Sequence, residues 1–364
     1  MRQGVEDGVQ ALDRSRRRPG RVQHEATAQR ARHPPREPAA GVHQAHGLGQ
    51  TGSVPVEDGP GALGSLVAPV ANWLLARRFL RKLIESWVGL HRDRQVLRFS
   101  PETFAHWWGH RGAAQISASA PRKVALFGSC LVNYQVTDVG KATIQVLEKN
   151  GVHVVIPEQR CCGMPSFDIG DTAAIEQAAS ANVASFLPWV EKGYEIVVPV
   201  PSCSLMWKRE YPELVGGHGV RRVAERTFDV CEYLMKLKRE GALATDFLQK
   251  PGRVAYQVPC HLRDQNIGFK SKELMECAGA QVEVIEKCSG HDGSWSAKTE
   301  FFPLSMLIAQ KAVRIIEQAT ADLVASDCPL AGLQLDQAGA MAHAGGRATK
   351  HPIQIVRDAY GLRS

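Results

Sequence analysis

Cys161-Cys162-Gly163-Met164-Pro165 sets two thiols side by side ahead of a glycine. A worn copy, Cys288-Ser289-Gly290-His291-Asp292-Gly293, recurs later in the 364-residue chain. Cys130 and Cys203 flank the first copy, and Cys260 and Cys328 flank the second at nearly matched distances, so seven of the nine cysteines fall into two parallel sets. Soft thiolates select iron–sulfur clusters, zinc or Cu(I), and full iron–sulfur ligation usually takes four of them. Cys130, Cys161, Cys162 and Cys203 make such a set. Gly163 and Pro165 supply the relaxed loop that two adjacent cysteines need to aim at one centre. Zinc is the rival occupant, although the short C-x₂-C pairs of structural zinc sites are missing.

The second set offers Cys260, Cys288 and Cys328, with Ser289 standing where the second thiol of the pair would be. His261, His291 and Asp292 are nearby groups able to ligate a metal. His291, three positions after Cys288, is the foremost candidate for a fourth ligand. It could instead donate a hydrogen bond to a cluster sulfur, or be an ordinary loop residue. Cys231 and Cys277 fall within helical patterns and read as core thiols.

These thiols need elements to position them, and from Lys123 onward the pattern is repetitive α/β. Apolar strands at 123–127, 152–156 and 195–198 lead to Cys130, Cys161 and Cys203, with helices near 135–149 and 171–191 between them. Strands at 254–258, 282–285 and 323–326 lead in the same order to Cys260, Cys288 and Cys328, with a long helix near 299–317. The thiols thus fall just past strand C-termini, the edge at which parallel α/β sheets collect ligands. The fold expected is two tandem, pseudo-symmetric, parallel α/β cysteine-rich domains, 123–215 and 253–364, joined by a helical connector over 216–252.

The N-terminal part differs. Residues 1–66 contain no Phe, Tyr, Trp, Ile, Lys or Cys, and sixteen of them are Gly or Pro. Such a segment reads as disordered, or as the product of an unsuitable start site. Residues 67–122 follow as a basic helix and linker, with 91–122 mostly loop around Phe104, Trp107 and Trp108. Leu74, Leu75, Phe79, Leu80, Leu83, Ile84 and Val88 recur at helical spacing, with Arg77, Arg78, Arg81 and Lys82 between them. The stripe either packs on the main body or docks through 67–98 on a membrane surface or a partner protein.

The formal net charge is +7. It divides as +2 over 1–66, +6 over 67–122 and −1 over the cysteine-bearing remainder. The neutral body argues against nucleic acid. No apolar run is long enough to span a bilayer, and no export signal opens the chain. A cytoplasmic setting with reduced thiols is therefore expected, and disulfides are the lesser alternative.

Arg160-Cys161-Cys162-Gly163-Met164-Pro165, then Ser202-Cys203 with Arg209-Glu210-Tyr211-Pro212-Glu213, resemble the cysteine-rich (CCG) domain family. The likeness continues through Val258-Pro259-Cys260-His261, Asp327-Cys328 and His351-Pro352-Ile353, covering about 123–360. It is nearest to the iron–sulfur subunit group of anaerobic glycerol-3-phosphate dehydrogenase, beside the corresponding iron–sulfur subunits of glycolate oxidase and heterodisulfide reductase. The resemblance implies 4Fe-4S clusters carrying electrons between a flavoprotein dehydrogenase subunit and the quinone pool, peripheral to the inner face of the cell membrane. Two departures stand out. The first 129 residues hold no cysteine where family members carry a ferredoxin module, so a separate ferredoxin-type protein is a candidate partner. Ser289 and Ala331 stand where second-half cysteines are frequent. A non-redox zinc protein and a thiol or disulfide reductase remain the alternatives.

Overall fold

The computed structural model describes residues 60–111, 115–342 and 348–362; the disorder expected over 1–59 lies outside the described residues. Two all-parallel sheets organise the chain. The first contains β1 (Lys123–Leu126), β2 (His153–Val155), β3 (Glu195–Val198) and β4 (Thr227–Asp229), in the order β2-β1-β3-β4. The second contains β5 (Arg253–Gln257), β6 (Gln281–Ile285) and β7 (Leu323–Ala325), in the order β6-β5-β7. The first three strands of each sheet share one order, so the tandem α/β units expected from sequence are one design built twice.

Central parallel strands are covered on both faces and read as unbroken apolar runs rather than as alternation. Val124, Ala125, Leu126, Phe127, Ile196, Val197 and Val198 are accordingly all fully buried. The crossover helices Thr137–Lys149 and Thr172–Glu191 supply that cover. The second of these is started by Asp171, whose carboxylate accepts from the Ala174 N–H at 3.1 Å. In a 2-1-3 order the chain leaves the central strand to one side and returns on the other. The loops after β1 and β3 therefore diverge, opening a crevice at the carboxyl edge. The cysteines of both sets lie on that edge.

The structure corrects five details. The connector contributes a strand, β4, between helices His218–Glu225 and Val230–Arg239; three residues are too few to show a periodicity. Residues 60–66, inside the segment expected to be disordered, form a helix. Its glycines bring backbone against aromatic rings: a Cβ at Gly64 would lie 2.6 Å from the Phe99 ring, and one at Gly61 would lie 2.5 Å from Tyr134. The basic stripe is two helices, Ala68–Leu75 and Arg78–Val88, broken where Arg77 turns extended with ψ 118°. Arg81 leaves the basic face altogether. It is buried, donating to the carbonyls of His91, Arg92 and Arg94. Finally, Phe104–His110 is helical rather than loop, capped by the Thr103 hydroxyl and anchored by buried Phe104.

Candidate metal centre

All nine cysteines are free thiols. Cys130 lies in the first turn of the helix Ser129–Tyr134 that leaves β1. Cys161 and Cys162 lie in the loop after β2, and Cys203 lies in the helix Pro201–Leu205 after β3. Three separate strand exits thus deliver four sulfurs. Cys130 Sγ is 3.8 Å from Cys161 Sγ, and Cys162 Sγ is 3.1 Å from Cys203 Sγ. Cys162 and Cys203 are buried, whereas Cys130 and Cys161 are partly exposed. The donor set fits a thiolate-bound centre: four soft ligands converge, and the outer pair remains open to the surface.

The local backbone explains the convergence. Gly163 adopts φ 85°, which reverses the chain after the tandem cysteines, and its N–H helps hold Cys161 as thiolate. The largest influence on Cys161 is the hydrogen bond from the Cys130 thiol, and the sulfur is pushed down to about 3. Donation of their protons to neighbouring sulfurs, together with burial, pushes Cys130 and Cys162 up. The peptide carbonyls of the pair are held by side-chain donors. Tyr211 Oη donates to the Cys162 carbonyl at 2.8 Å, and Asn182 Nδ2 donates to the Cys161 carbonyl at 3.4 Å. A π-helical turn, Met206–Glu210, follows Cys203 and rotates Tyr211 into that position. It also buries Trp207 edge-on to Phe127 and Phe186, at 5.0 and 4.9 Å.

The second set repeats the plan with one sulfur fewer. Cys260 opens the helix Cys260–Arg263 after β5, Cys288 follows β6, and Cys328 caps the helix Pro329–Met341 after β7. Cys260 and Cys288 are exposed, and Cys328 is partly so. Cys288 accepts from the Cys260 thiol and, at 3.3 Å, from the Gly290 N–H; its sulfur is pushed down to about 6, mainly by Cys260. Ser289, which replaces the second thiol, is buried and accepts from the His291 N–H at 3.3 Å.

His291 Nδ1 lies 3.2 Å from Arg94 Nη2. A guanidinium can only donate, so Nδ1 accepts and the ring proton sits on Nε2. Burial, then the charges of Arg94 and His261, push this imidazole down to about 4. His261 is partly buried beside it, and the charges of His261 and Asp292 bear on Asp168 in the helix Met164–Asp168 that follows the first thiol pair. A Cβ on Gly293 would meet Asp168 Oδ2 at 2.6 Å. The two cysteine loops therefore face one another across the domain seam, and Cys203 and Cys328 lie close enough for their charges to interact.

Arg94 carried no signal in the sequence. It reaches the second centre because residues 89–95 strap across that domain. His91 N donates to the Ala297 carbonyl at 2.9 Å, the His91 ring stacks on Phe302 at 4.0 Å, and Gln95 N donates to Gln337 Oε1 at 3.0 Å. Tyr211 and His351 lay in motifs noted above without an assigned role. His351 Nε2 donates to the Pro199 carbonyl at 3.0 Å, tying the last helix, Pro352–Ala359, to the β3 exit. Among the described residues, no helix is long and apolar enough to cross a membrane.

Comparison with known proteins agrees with this duplicated plan. The family model described as the cysteine-rich domain (CCG) matches twice, over residues 124–208 and 254–336. Over 305 residues, 82% of this chain and 74% of the relative, the sequence is 28% identical to the C subunit of anaerobic glycerol-3-phosphate dehydrogenase from Escherichia coli (strain K12). It is 30% identical over 256 residues, 66% of this chain and 99% of the relative, to lactate utilization protein A of Bacillus pumilus (strain SAFR-032). The protein of that name from Anoxybacillus flavithermus (strain DSM 21510 / WK1) is 29% identical over 251 residues, 65% of this chain and 97% of the relative. The resemblance drawn from the cysteine motifs is borne out.

Proposed function

Because the chain belongs to the cysteine-rich (CCG) domain family, we propose that it is the iron–sulfur electron-transfer subunit of a multi-component oxidoreductase. It stands between a flavin-dependent dehydrogenase and a quinone or other acceptor. The observation that carries this reading is the convergence of Cys130, Cys161, Cys162 and Cys203 from three strand exits. These four hold one iron–sulfur cluster, which four thiolates suit, of the 4Fe-4S type that the family resemblance implies. When bound, such a cluster supplies a one-electron carrier. The chain's own part is to present Cys161 already as thiolate, to bury Cys162 and Cys203 away from water, and to fix the loop by binding the neighbouring carbonyls through Tyr211 and Asn182.

Cys260, Cys288 and Cys328 hold the second centre. On this reading His291, with Arg94 against its Nδ1, serves as a donor through Nε2 rather than as a ligand, which the Arg94 contact supports. Three thiolates leave one position open, and the exposure of Cys260 and Cys288 makes this the face where a redox partner or a thiol substrate meets the protein. A flavoprotein subunit or a ferredoxin-type protein supplies the electrons.

Membrane contact is favoured by a separate observation. Leu66, Trp73, Phe79, Trp87 and Val88 are exposed on the N-terminal helices, Trp87 at 87% and Phe79 at 72%. Arg77, Arg78 and Lys82 are exposed among them. Exposed tryptophan mixed with basic side chains suits the interface of an anionic lipid surface. On this reading the second domain, strapped by residues 89–95, sits near the inner face of the membrane.

Anaerobic purification followed by iron, sulfide and EPR analysis tests the function. The expected protein is brown and carries a reducible paramagnetic signal. Colourless protein with zinc bound by the first cysteine set would end the electron-transfer reading.

A further inference from the structure

A second kind of donor cluster shares no residue with either cysteine set. Asp229 ends β4, Cys231 lies in the first turn of the next helix, and Asp327 follows β7 one residue before Cys328. One donor atom from each lies within 4.8 Å of the others, and all three side chains are buried, the two aspartates and Cys231 at 0% exposure. The cluster bridges the two domains, since Asp229 and Cys231 belong to the first sheet's last strand and its helix, and Asp327 belongs to the second sheet.

Most of its hydrogen bonds are accounted for. Asp229 Oδ1 accepts from the Cys231 N–H at 2.9 Å, capping the helix. Asp327 accepts from Tyr256 Oη at 2.6 Å and from Ser271 Oγ at 2.5 Å, and the Cys231 thiol lies 3.9 Å from Asp327 Oδ1. Asp229 Oδ2, on a fully buried side chain, is left with no partner among the described residues. The nearby cation, Lys208, is already paired with Glu232 at 2.8 Å. Two carboxyls and a thiol thus meet in a fully buried seam with an orphaned oxygen, beside a lysine already paired with Glu232. Buried charge of this kind needs a counter-ion or protons.

We propose that this seam is a divalent-cation site of the zinc class, which clamps the two cysteine-rich domains together. Zinc takes Cys sulfur and Asp oxygen together, at about 2.3 and 2.0–2.2 Å, whereas calcium and magnesium take oxygen alone. Ligands at those lengths around one tetrahedral ion lie roughly 3.3–3.8 Å apart, so the observed cluster needs to draw in by little more than an ångström. Binding releases the protons of the Cys231 thiol and of a protonated carboxyl to solvent. The ion satisfies Asp229 Oδ2, and Asp229 Oδ1 keeps its cap. By holding Asp327, the clamp fixes the strand exit that delivers Cys328 to the second centre.

The test is zinc quantification and zinc-edge X-ray absorption on the full-length, anaerobically purified protein. The expected result is about one zinc per chain, in a shell of one sulfur with oxygen ligands. Cys231→Ala and Asp229→Asn should each remove that zinc while the iron held by the first cysteine set is retained. Three outcomes overturn the clamp. Wild-type protein without zinc means that protons neutralise the seam, and leaves the iron–sulfur reading untouched. A four-sulfur zinc shell puts the metal in the first cysteine set, and sinks the iron–sulfur reading as well. Zinc retained in both variants places it elsewhere. The wild-type spectrum decides the matter even if the variants fail to fold.

Discussion

Gly163 and Gly290 adopt the same left-handed conformation, φ 85° and 78°, each two residues after the first cysteine of its loop. Each points its N–H at that cysteine's sulfur, Cys161 and Cys288 respectively. The duplicated domains thus preserve the backbone turn even where Ser289 has replaced a thiol. Their surroundings differ. A Cβ on Gly163 would make ordinary contacts, the nearest at 3.6 Å to Ile175 Cα, but one on Gly290 would lie 2.2 Å from the Ser305 carbonyl oxygen.

Alanine at the two glycines should therefore separate strain from collision. Gly163→Ala should cost about 1–2 kcal/mol, the usual penalty for a left-handed L-residue. Gly290→Ala adds a backbone clash in a packed interior and should cost clearly more, with loss of the second centre before the first. Chemical denaturation of both variants checks the order; equal losses would mean that the Gly290 loop relaxes freely.

Cys162→Ser should strip most of the iron from the first centre, because a hydroxyl is a harder and poorer donor than a thiolate. Tyr211→Phe, which removes the hydrogen bond to the Cys162 carbonyl, should keep the iron and lower stability by about 1 kcal/mol. Iron analysis on the pair distinguishes a ligand from a positioning group.

Acid should weaken the second domain through His291. Its folded pKa, about 4, lies below the ordinary 6.5, so the unfolded chain binds more protons between those values. Stability is then lost as the pH falls from 6.5 towards 4, by on the order of 2–3 kcal/mol. His291→Gln cannot titrate and should flatten the slope of denaturant midpoint against pH in that window. An unchanged slope would show that His291 does not contribute.

Charge reversal should separate surface from core on the basic helices. Arg77→Glu with Arg78→Glu and Lys82→Glu should release the protein from anionic vesicles and leave its melting temperature nearly unchanged, because each exposed cation contributes about 1 kcal/mol at such a surface. Arg81→Glu should unfold the strap instead, since it buries a carboxylate against three carbonyl oxygens. Co-sedimentation at low and high salt, with thermal melts, reads both effects. Absence of wild-type binding at low salt would remove the membrane contact.

The sequence by itself determined the duplicated α/β plan and the two cysteine sets. Apolar runs such as Val124–Phe127 and Ile196–Val198, bounded by turn residues and alternating with helical stretches, read as buried strands of a parallel sheet, and the cysteines recur a few residues after them. Those signals are local, carried by residue type and spacing within a few turns of chain. What tertiary structure decided is non-local. Arg94 meets His291 across 197 positions, Tyr211 reaches back 49 positions to Cys162, and Asp327 comes upon Cys231 from 96 positions away. Arg81 shows why pattern alone falls short. It has the same type and helical spacing as its exposed neighbours, but the strap that returns over the helix buries it. No periodicity encodes which face another segment will cover.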